Sequence, residues 1–233
     1  MLRIVSFKIC PFVQRVTAAL EAKEVPYNVE YINLKDKPQW FLDISPTGQV
    51  PVLVTESGTA LFESDAIIEY IDELNGPLET DLSAEQKALD RAWSYQASKH
   101  YLTQCSAMRS GDKATLLERS AKLGKLFAKA ENQLSDGRYF KGNALSKVDI
   151  AWLPLLHRAA IIEKQACFDF LENYPKVKQW QSELLKTGLA KKSVADDFTE
   201  AFVGFYLSEL TYLGNGENCS SGADELCATS DCC

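Results

Sequence analysis

The sequence contains no run of about 18 consecutive apolar residues, so no segment reads as a membrane span. It has only two histidines, His100 and His157, and each reads as a helix-packing residue rather than a base. It also lacks H-E-x-x-H, C-x-x-C and any glycine-rich phosphate loop, so metal and nucleotide chemistry find no support and no metal is expected. An excess of positive charge is missing too: the net charge is −7, and phosphate binding needs a cationic face, which excludes nucleic acid as the main partner. The opening MLRIVSFKIC has no basic region, apolar run or small-residue cleavage site of a secretory signal. A cytoplasmic, reducing location is therefore expected, with most of the seven cysteines as free thiols. Internal repeats are absent. A chain of 233 residues buries a core without disulfide staples and suits one large or two small domains.

Residues 1–76 alternate strand and helix signals. Leu2, Ile4 and Ser6 alternate with Arg3, Val5 and Phe7 as a first strand. Pro11 then opens a helix, because proline's missing N–H would find no partner in a first turn. Residues 25–32 read as a second strand, 40–44 as a short helix, 50–54 as a third strand and 60–62 as a fourth, paired across a turn at 56–59. Helical spacing resumes at Ser64. The order β-α-β-α-β-β-α predicts a small mixed α/β layer with helices on the sheet faces.

Asn75-Gly76-Pro77 breaks that pattern, and residues 84–213 read as an all-helical second domain. Ser83 to Gln86 and Ser146 to Asp149 are capping-box signatures. Leu89, Trp93, Gln96, Ala97 and His100 form one stripe that predicts the buried face of the first long helix. Leu116, Leu123, Phe127, Ala130 and Leu134 do the same for the second. The run IAWLPLL at 150–156 is apolar nearly all round, which predicts a helix at the domain centre. Cys105 and Cys167 fall in helical stretches and are expected to act as small hydrophobes. Residues 214–233 carry glycine, serine and acidic residues, four cysteines and no Lys or Arg, and predict a flexible tail. Metal capture and lipidation are weaker readings of those cysteines, since no C-x-x-C spacing or polybasic segment accompanies them.

Chemistry concentrates at Cys10, where a strand ends and a helix begins. Thiolate is the reactive form of cysteine, and a helix N-terminus favours negative charge, so a lowered pKa is expected. Val13 occupies the place of a second C-x-x-C thiol. The site is then a monothiol, and an external thiol such as glutathione has to resolve any mixed disulfide. The competing reading is an inert cysteine buried in a small core.

Cys10-Pro11-Phe12-Val13-Gln14-Arg15 resembles the active-site motif of the omega class of cytosolic glutathione transferases and of the related dehydroascorbate reductases. The stretch from Lys35 to Pro46 is similar to the same group. Gln49 to Leu53 and Phe62 to Ile67 resemble glutathione-site motifs of the wider superfamily, and Tyr174 to Trp180 resembles its late helical pattern. The likeness implies a glutathione transferase fold: an α/β thioredoxin-like N-terminal domain at 1–76 plus an all-α C-terminal domain at 84–213. It implies that Cys10 forms a mixed disulfide with glutathione. Val50 would pair its backbone with the cysteinyl part beside a cis Pro51, Glu63 and Ser64 would hold the γ-glutamyl end, and Lys37 would reach the glycine carboxylate. Phe12 would flank the second-substrate pocket, and part of the aromatic run Phe198, Phe202, Phe205 and Tyr206 would wall it. The implied activity is a thiol transferase or dehydroascorbate reductase acting on a small disulfide or dehydroascorbate, in a homodimer. Two alternatives stand: a transferase conjugating glutathione to electrophiles, and a non-catalytic binding module. Without the resemblance, Ser64 reads equally as a plain N-cap, Lys37 as a solvated lysine and Pro51 as an ordinary trans proline.

Overall fold

The computed structural model describes residues 1–216. It begins with β1 (Leu2–Ser6), α1 (Pro11–Ala22), β2 (Tyr27–Tyr31), α2 (Gln39–Ile44), β3 (Val52–Val54), β4 (Ala60–Phe62) and α3 (Ser64–Asn75). The sheet order is β2-β1-β3-β4, with β1 and β2 parallel and the other neighbours antiparallel. Period-two alternation assigns each face. Ile4 and Leu53 point to one side, where α1 and α3 cover them with Val16, Leu20, Ile67 and Ile71. Val5 and Val52 point to the other, where Phe41 of α2 is fully buried on them. Three strands are shorter than the sequence indicates. The third starts at Val52 rather than at residue 50, since Pro51 has no N–H to give the ladder. The Val50–Pro51 peptide is cis.

From Ser64 onward the described residues form helices, apart from an isolated bridge between Tyr139 and Gly142. These are α4 (Ala84–Met108), α5 (Lys113–Gln133), α6 (Lys147–Ala166), α7 (Pro175–Lys186), α8 (Leu189–Lys192) and α9 (Phe198–Tyr206). Both expected capping boxes are present, at Ser83 with Gln86 and at Ser146 with Asp149. As its composition predicts, α6 runs through the centre, buried from Val148 to Leu156, and packs against α1 and α4. The α5 stripe is buried as expected.

The expected α4 stripe is rotated. Leu89 is 61% exposed, and the buried face carries Ser94, Ala97, Ser98, Tyr101 and Gln104. Small and polar residues there let α6 approach closely, and Gln104 Nε2 and Tyr101 Oη donate to α6 carbonyls at Leu155 and Ala151. Polar donors paired in this way can face the core, and they defeat a hydrophobicity stripe. Cys167 also departs from expectation. It is the exposed C-cap of α6 in left-handed backbone (φ 52°, ψ 28°), and it is disulfide-bonded rather than a buried hydrophobe. Apart from residues 214–216, the tail expected to be flexible lies outside the described residues.

Candidate active site

Cys10 is the N-cap of α1, in extended backbone with Pro11 as the first helical residue. Its N–H donates to the Phe7 carbonyl at 3.0 Å, and its carbonyl accepts from Gln14 N–H at 3.1 Å. That turn aims the thiol at the N–H groups of Val13 and Phe12, which have no intrahelical partner. The thiol is half-buried in a cleft of 540 Å³ walled by Phe7, Phe12, Leu102, Cys105, Phe205 and Tyr206.

This apolar wall corrects the expected pKa. Burial pushes the Cys10 thiol up. The Val13 and Phe12 N–H groups and the Arg158 charge pull it down, the Cys105 thiol pushes it up, and the balance lies above the ordinary thiol value. The helix start is present, but the desolvation outweighs it. A thiolate of higher pKa is the better nucleophile, which offsets part of the lost population.

A second pocket, of 140 Å³, adjoins the first. Phe12 and Leu102 line both, and Thr47, Gln49, Val50, Pro51, Glu63 and Ser64 complete it. The structure therefore brings together six of the seven sequence-derived candidates: Cys10, Phe12, Val50, Pro51, Glu63 and Ser64. Glu63 caps α3 at φ +66°, a conformation a non-glycine residue seldom adopts, with its carboxylate exposed, while Ser64 behind it is buried. The buried Arg15, one turn into α1, pairs with Asp65 and so ties the start of α3 to the helix that carries Cys10. Phe12 is fixed edge-to-face on Tyr101 with ring centres 5.1 Å apart. Lys37 is apart from both pockets: its Nζ donates to the Gly48 carbonyl at 2.8 Å, two residues before Val50.

Sequence reasoning missed two participants, Cys105 and Arg158. Cys105 lies one turn beyond Tyr101 on the same face of α4 and opens onto the Cys10 cleft. Tyr206 lines the same cleft as Cys105, and burial first and then the Cys105 sulfur raise its pKa. Arg158 is fully buried behind the cleft and lies over the Phe198 ring at 5.4 Å. The i, i+4 spacing of Tyr101 and Cys105 is the one signal that could have found Cys105. The aromatic run divides as expected, with Phe198 and Phe202 in the core and Phe205 and Tyr206 on the cleft. His157 stacks on Phe198, and burial with Arg158 pushes its pKa down to about 3, so it stays neutral. Among the described residues no His/Cys/Asp/Glu group could hold a metal ion, and no helix is long and apolar enough to cross a membrane.

Family models for the glutathione S-transferase N-terminal domain and C-terminal domain match residues 9–74 and 85–187. Glutathione S-transferase omega-1 of Sus scrofa is 32% identical over 80% of this chain and 77% of its own. The probable glutathione S-transferase DHAR1, cytosolic, of Oryza sativa is 31% identical over 65% of this chain and 68% of its own. The crystal structure of glutathione transferase Omega 3C from Trametes versicolor superposes with a TM-score of 0.73 at 25% identity, covering 87% of this chain and 89% of that one. With both domain models matched in order, and omega-class relatives along most of its length, the chain belongs to the glutathione S-transferase family as an omega-like, glutathione-dependent enzyme.

Proposed function

We propose that the chain is a glutathione-dependent thiol transferase or dehydroascorbate reductase in which Cys10 forms a mixed disulfide with glutathione. One observation carries the reading: the Cys10 cleft and the Val50–Pro51–Glu63–Ser64 pocket meet at Phe12. The tripeptide fills the second pocket and its sulfur lies at the first. Residues 1–76 then form the glutathione-binding unit and 84–213 the second-substrate unit of a cytoplasmic homodimer.

Glu63 pairs with the α-ammonium of glutathione. The N–H groups and hydroxyl at the start of α3 take the γ-glutamyl carboxylate. Val50 offers its backbone to the cysteinyl part, and Lys37 swings from the Gly48 carbonyl to the glycine carboxylate. In disulfide reduction, the Cys10 thiolate attacks the glutathionyl sulfur of a mixed disulfide, and the other thiolate leaves and takes up a proton. A second glutathione thiolate then attacks that same glutathionyl sulfur, forming glutathione disulfide and restoring the Cys10 thiolate.

The test is a side-by-side assay of hydroxyethyl-disulfide reduction, dehydroascorbate reduction and chlorodinitrobenzene conjugation. Wild type is expected to favour the first two. Cys10→Ser is expected to lose both and gain conjugation, since a hydroxyl hydrogen-bonds the glutathione thiolate without trapping it. Efficient conjugation with poor reduction by the wild type would make the conjugating reading the right one.

A further inference from the structure

We infer that the substrate of the Cys10 cleft is an amphipathic anion, with its charged end held by Arg109 and Arg119 and its apolar body on the aromatic wall. The inference rests on the reading of Cys10 as nucleophile and adds the chemical class of the partner molecule.

Charge is the first observation. The protein carries 32 acidic against 25 basic residues, yet among the described residues the charged ones lining the cleft are Arg109 and Arg119. A cleft with apolar walls and one sign of charge concentrates ions of the other sign, even where the whole molecule repels them.

The second observation is that neither guanidinium is spent. Among the described residues neither forms an ion pair within 4.0 Å, although 15 such pairs occur elsewhere. Arg109 is exposed at the rim and lies over the Phe205 ring at 5.2 Å. Arg119 is half-buried and donates from Nη1 to the Ser106 carbonyl at 2.8 Å and the Ser110 hydroxyl at 3.4 Å. Those bonds orient its guanidinium and use only one of its three nitrogens. The acid that feels Arg119 is Asp112, whose carboxylate is engaged at the start of α5 by the Thr115 N–H at 2.8 Å and hydroxyl at 2.7 Å. The planar forks of two arginines suit a carboxylate or similar oxyanion better than a neutral group.

The third observation is the wall itself. Phe7, Phe12, Leu102 and Phe205 present apolar surface on the one continuous cleft that Cys10 and the two arginines also line. A small neutral oxidant such as dehydroascorbate uses neither feature. A mixed disulfide between glutathione and an aromatic or aliphatic thiol acid uses both.

Two glutathionyl mixed disulfides that differ in one group test this: one with 4-mercaptobenzoate, the other with 4-mercaptobenzamide. Differences in leaving-group strength fall on kcat, so the readout is KM. Wild type is expected to show a KM about tenfold lower for the carboxylate, a gap that closes in high salt. Arg109→Gln and Arg119→Gln are each expected to raise KM for the carboxylate several-fold and leave the carboxamide unchanged. Because the Arg109 side chain makes no hydrogen bond among the described residues, and only its backbone N–H is engaged, as the C-cap of α4, its variant keeps the test clear of folding defects. Equal KM values for the two probes in wild type, or variants that raise both alike, would overturn the anion site. If neither probe is turned over, or Cys10→Ser turns them over as well as wild type does, the failure is that of the nucleophile assignment instead.

Discussion

Arg158, on α6, reaches across 149 residues of chain to donate Nη2 to the carbonyl of Ile9 at 3.1 Å, one residue before Cys10. Its Nη1 holds the Pro154 carbonyl at 3.1 Å and the Gln14 side chain, one turn into α1. A single buried cation thus clamps both sides of the turn that presents the thiol, and its charge favours the Cys10 thiolate. Arg158→Met is expected to move the Cys10 ionisation further up and to slow alkylation at neutral pH. Unfolding should also become easier by about 1–3 kcal/mol, because the Ile9 and Pro154 carbonyls and Gln14 lose a donor. Iodoacetamide kinetics against pH, with urea unfolding on the same variant, separates the two effects. An unmoved Cys10 midpoint would show that the clamp is structural only.

The raised thiol pKa has a direct kinetic signature. A neutral thiol must lose its proton before it attacks, so alkylation of wild-type Cys10 is expected to rise with pH to a midpoint above the free-thiol value of ~8.5. The Cys105 thiol pushes Cys10 up, so Cys105→Ala should bring that midpoint down slightly and leave disulfide reduction intact. Cys10→Ala should abolish both the labelling step and turnover. A midpoint below the free-thiol value would mean that the helix start outweighs burial.

The β-α-β-α-β-β-α order was legible because each element carries its own period: Leu2, Ile4 and Val5 in β1, and Ile67, Ile68 and Ile71 in α3. The six gathered candidates were legible because they lie on local motifs at strand and helix ends. What could not be read was anything set by contacts between distant segments. The α4 stripe failed because Gln104 Nε2 and Tyr101 Oη donate to α6 carbonyls, which lets polar residues face the core. The pKa direction failed because the wall that desolvates Cys10 comes from α4 and α9, about a hundred and two hundred residues away. Arg158, which no motif marks, gains its role only once α6 lies against α1.

Glutathione affinity should divide the candidates by their geometry. Glu63→Ala and Ser64→Ala each leave a charged ligand group unpaired, and each is expected to weaken binding by roughly 1–3 kcal/mol. Lys37→Ala should cost less, because its Nζ starts on the Gly48 carbonyl and must give up that bond to reach the ligand. Calorimetry with glutathione on the Cys10→Ala background avoids disulfide formation. Equal affinity in all three variants would place the tripeptide elsewhere.

His157 makes the fold sensitive to acid. The Gln14 Oε1 accepts from Arg158, so its amide nitrogen faces the imidazole and lies 2.8 Å from Nδ1. A donor on one side and a cation beside it leave no place for a second ring proton. The folded pKa of about 3 lies below the ordinary 6.5. Stability from this group is therefore complete above pH 6.5 and is lost as pH falls, because the unfolded chain binds the proton first. By about pH 5 the loss should reach ~1–2 kcal/mol. His157→Gln should flatten that slope in thermal unfolding measured across the range, whereas an unchanged slope would assign the acid sensitivity to carboxylates.

Asp149 should be the most costly single carboxylate to remove. It is fully buried, and burial raises its pKa, yet its two oxygens accept from four donors. Phe140 N–H and Trp180 Nε1 reach Oδ1 at 2.9 and 2.7 Å, and the Ser146 N–H and hydroxyl reach Oδ2 at 2.8 and 2.5 Å. These bonds cap α6, fix the loop before it and hold the indole that lies tilted at 47° to Trp152, ring centres 5.3 Å apart. Asp149→Ala leaves donors buried with no acceptor and opens a void at the centre of the helical packing. A loss of about 3–5 kcal/mol is expected, with a fall in Tm to match. Ser146→Ala removes one capping hydroxyl and keeps the other three donors paired, so about 1–2 kcal/mol is expected. Asp149→Asn distinguishes charge from geometry: its amide nitrogen would face either the Ser146 pair or the Phe140 and Trp180 pair, turning acceptor into donor on one side. A variant as stable as wild type would show that one oxygen suffices. A loss close to that of Asp149→Ala would show that both oxygens are needed to hold α6 against α7 and, through α6, the clamp on Cys10.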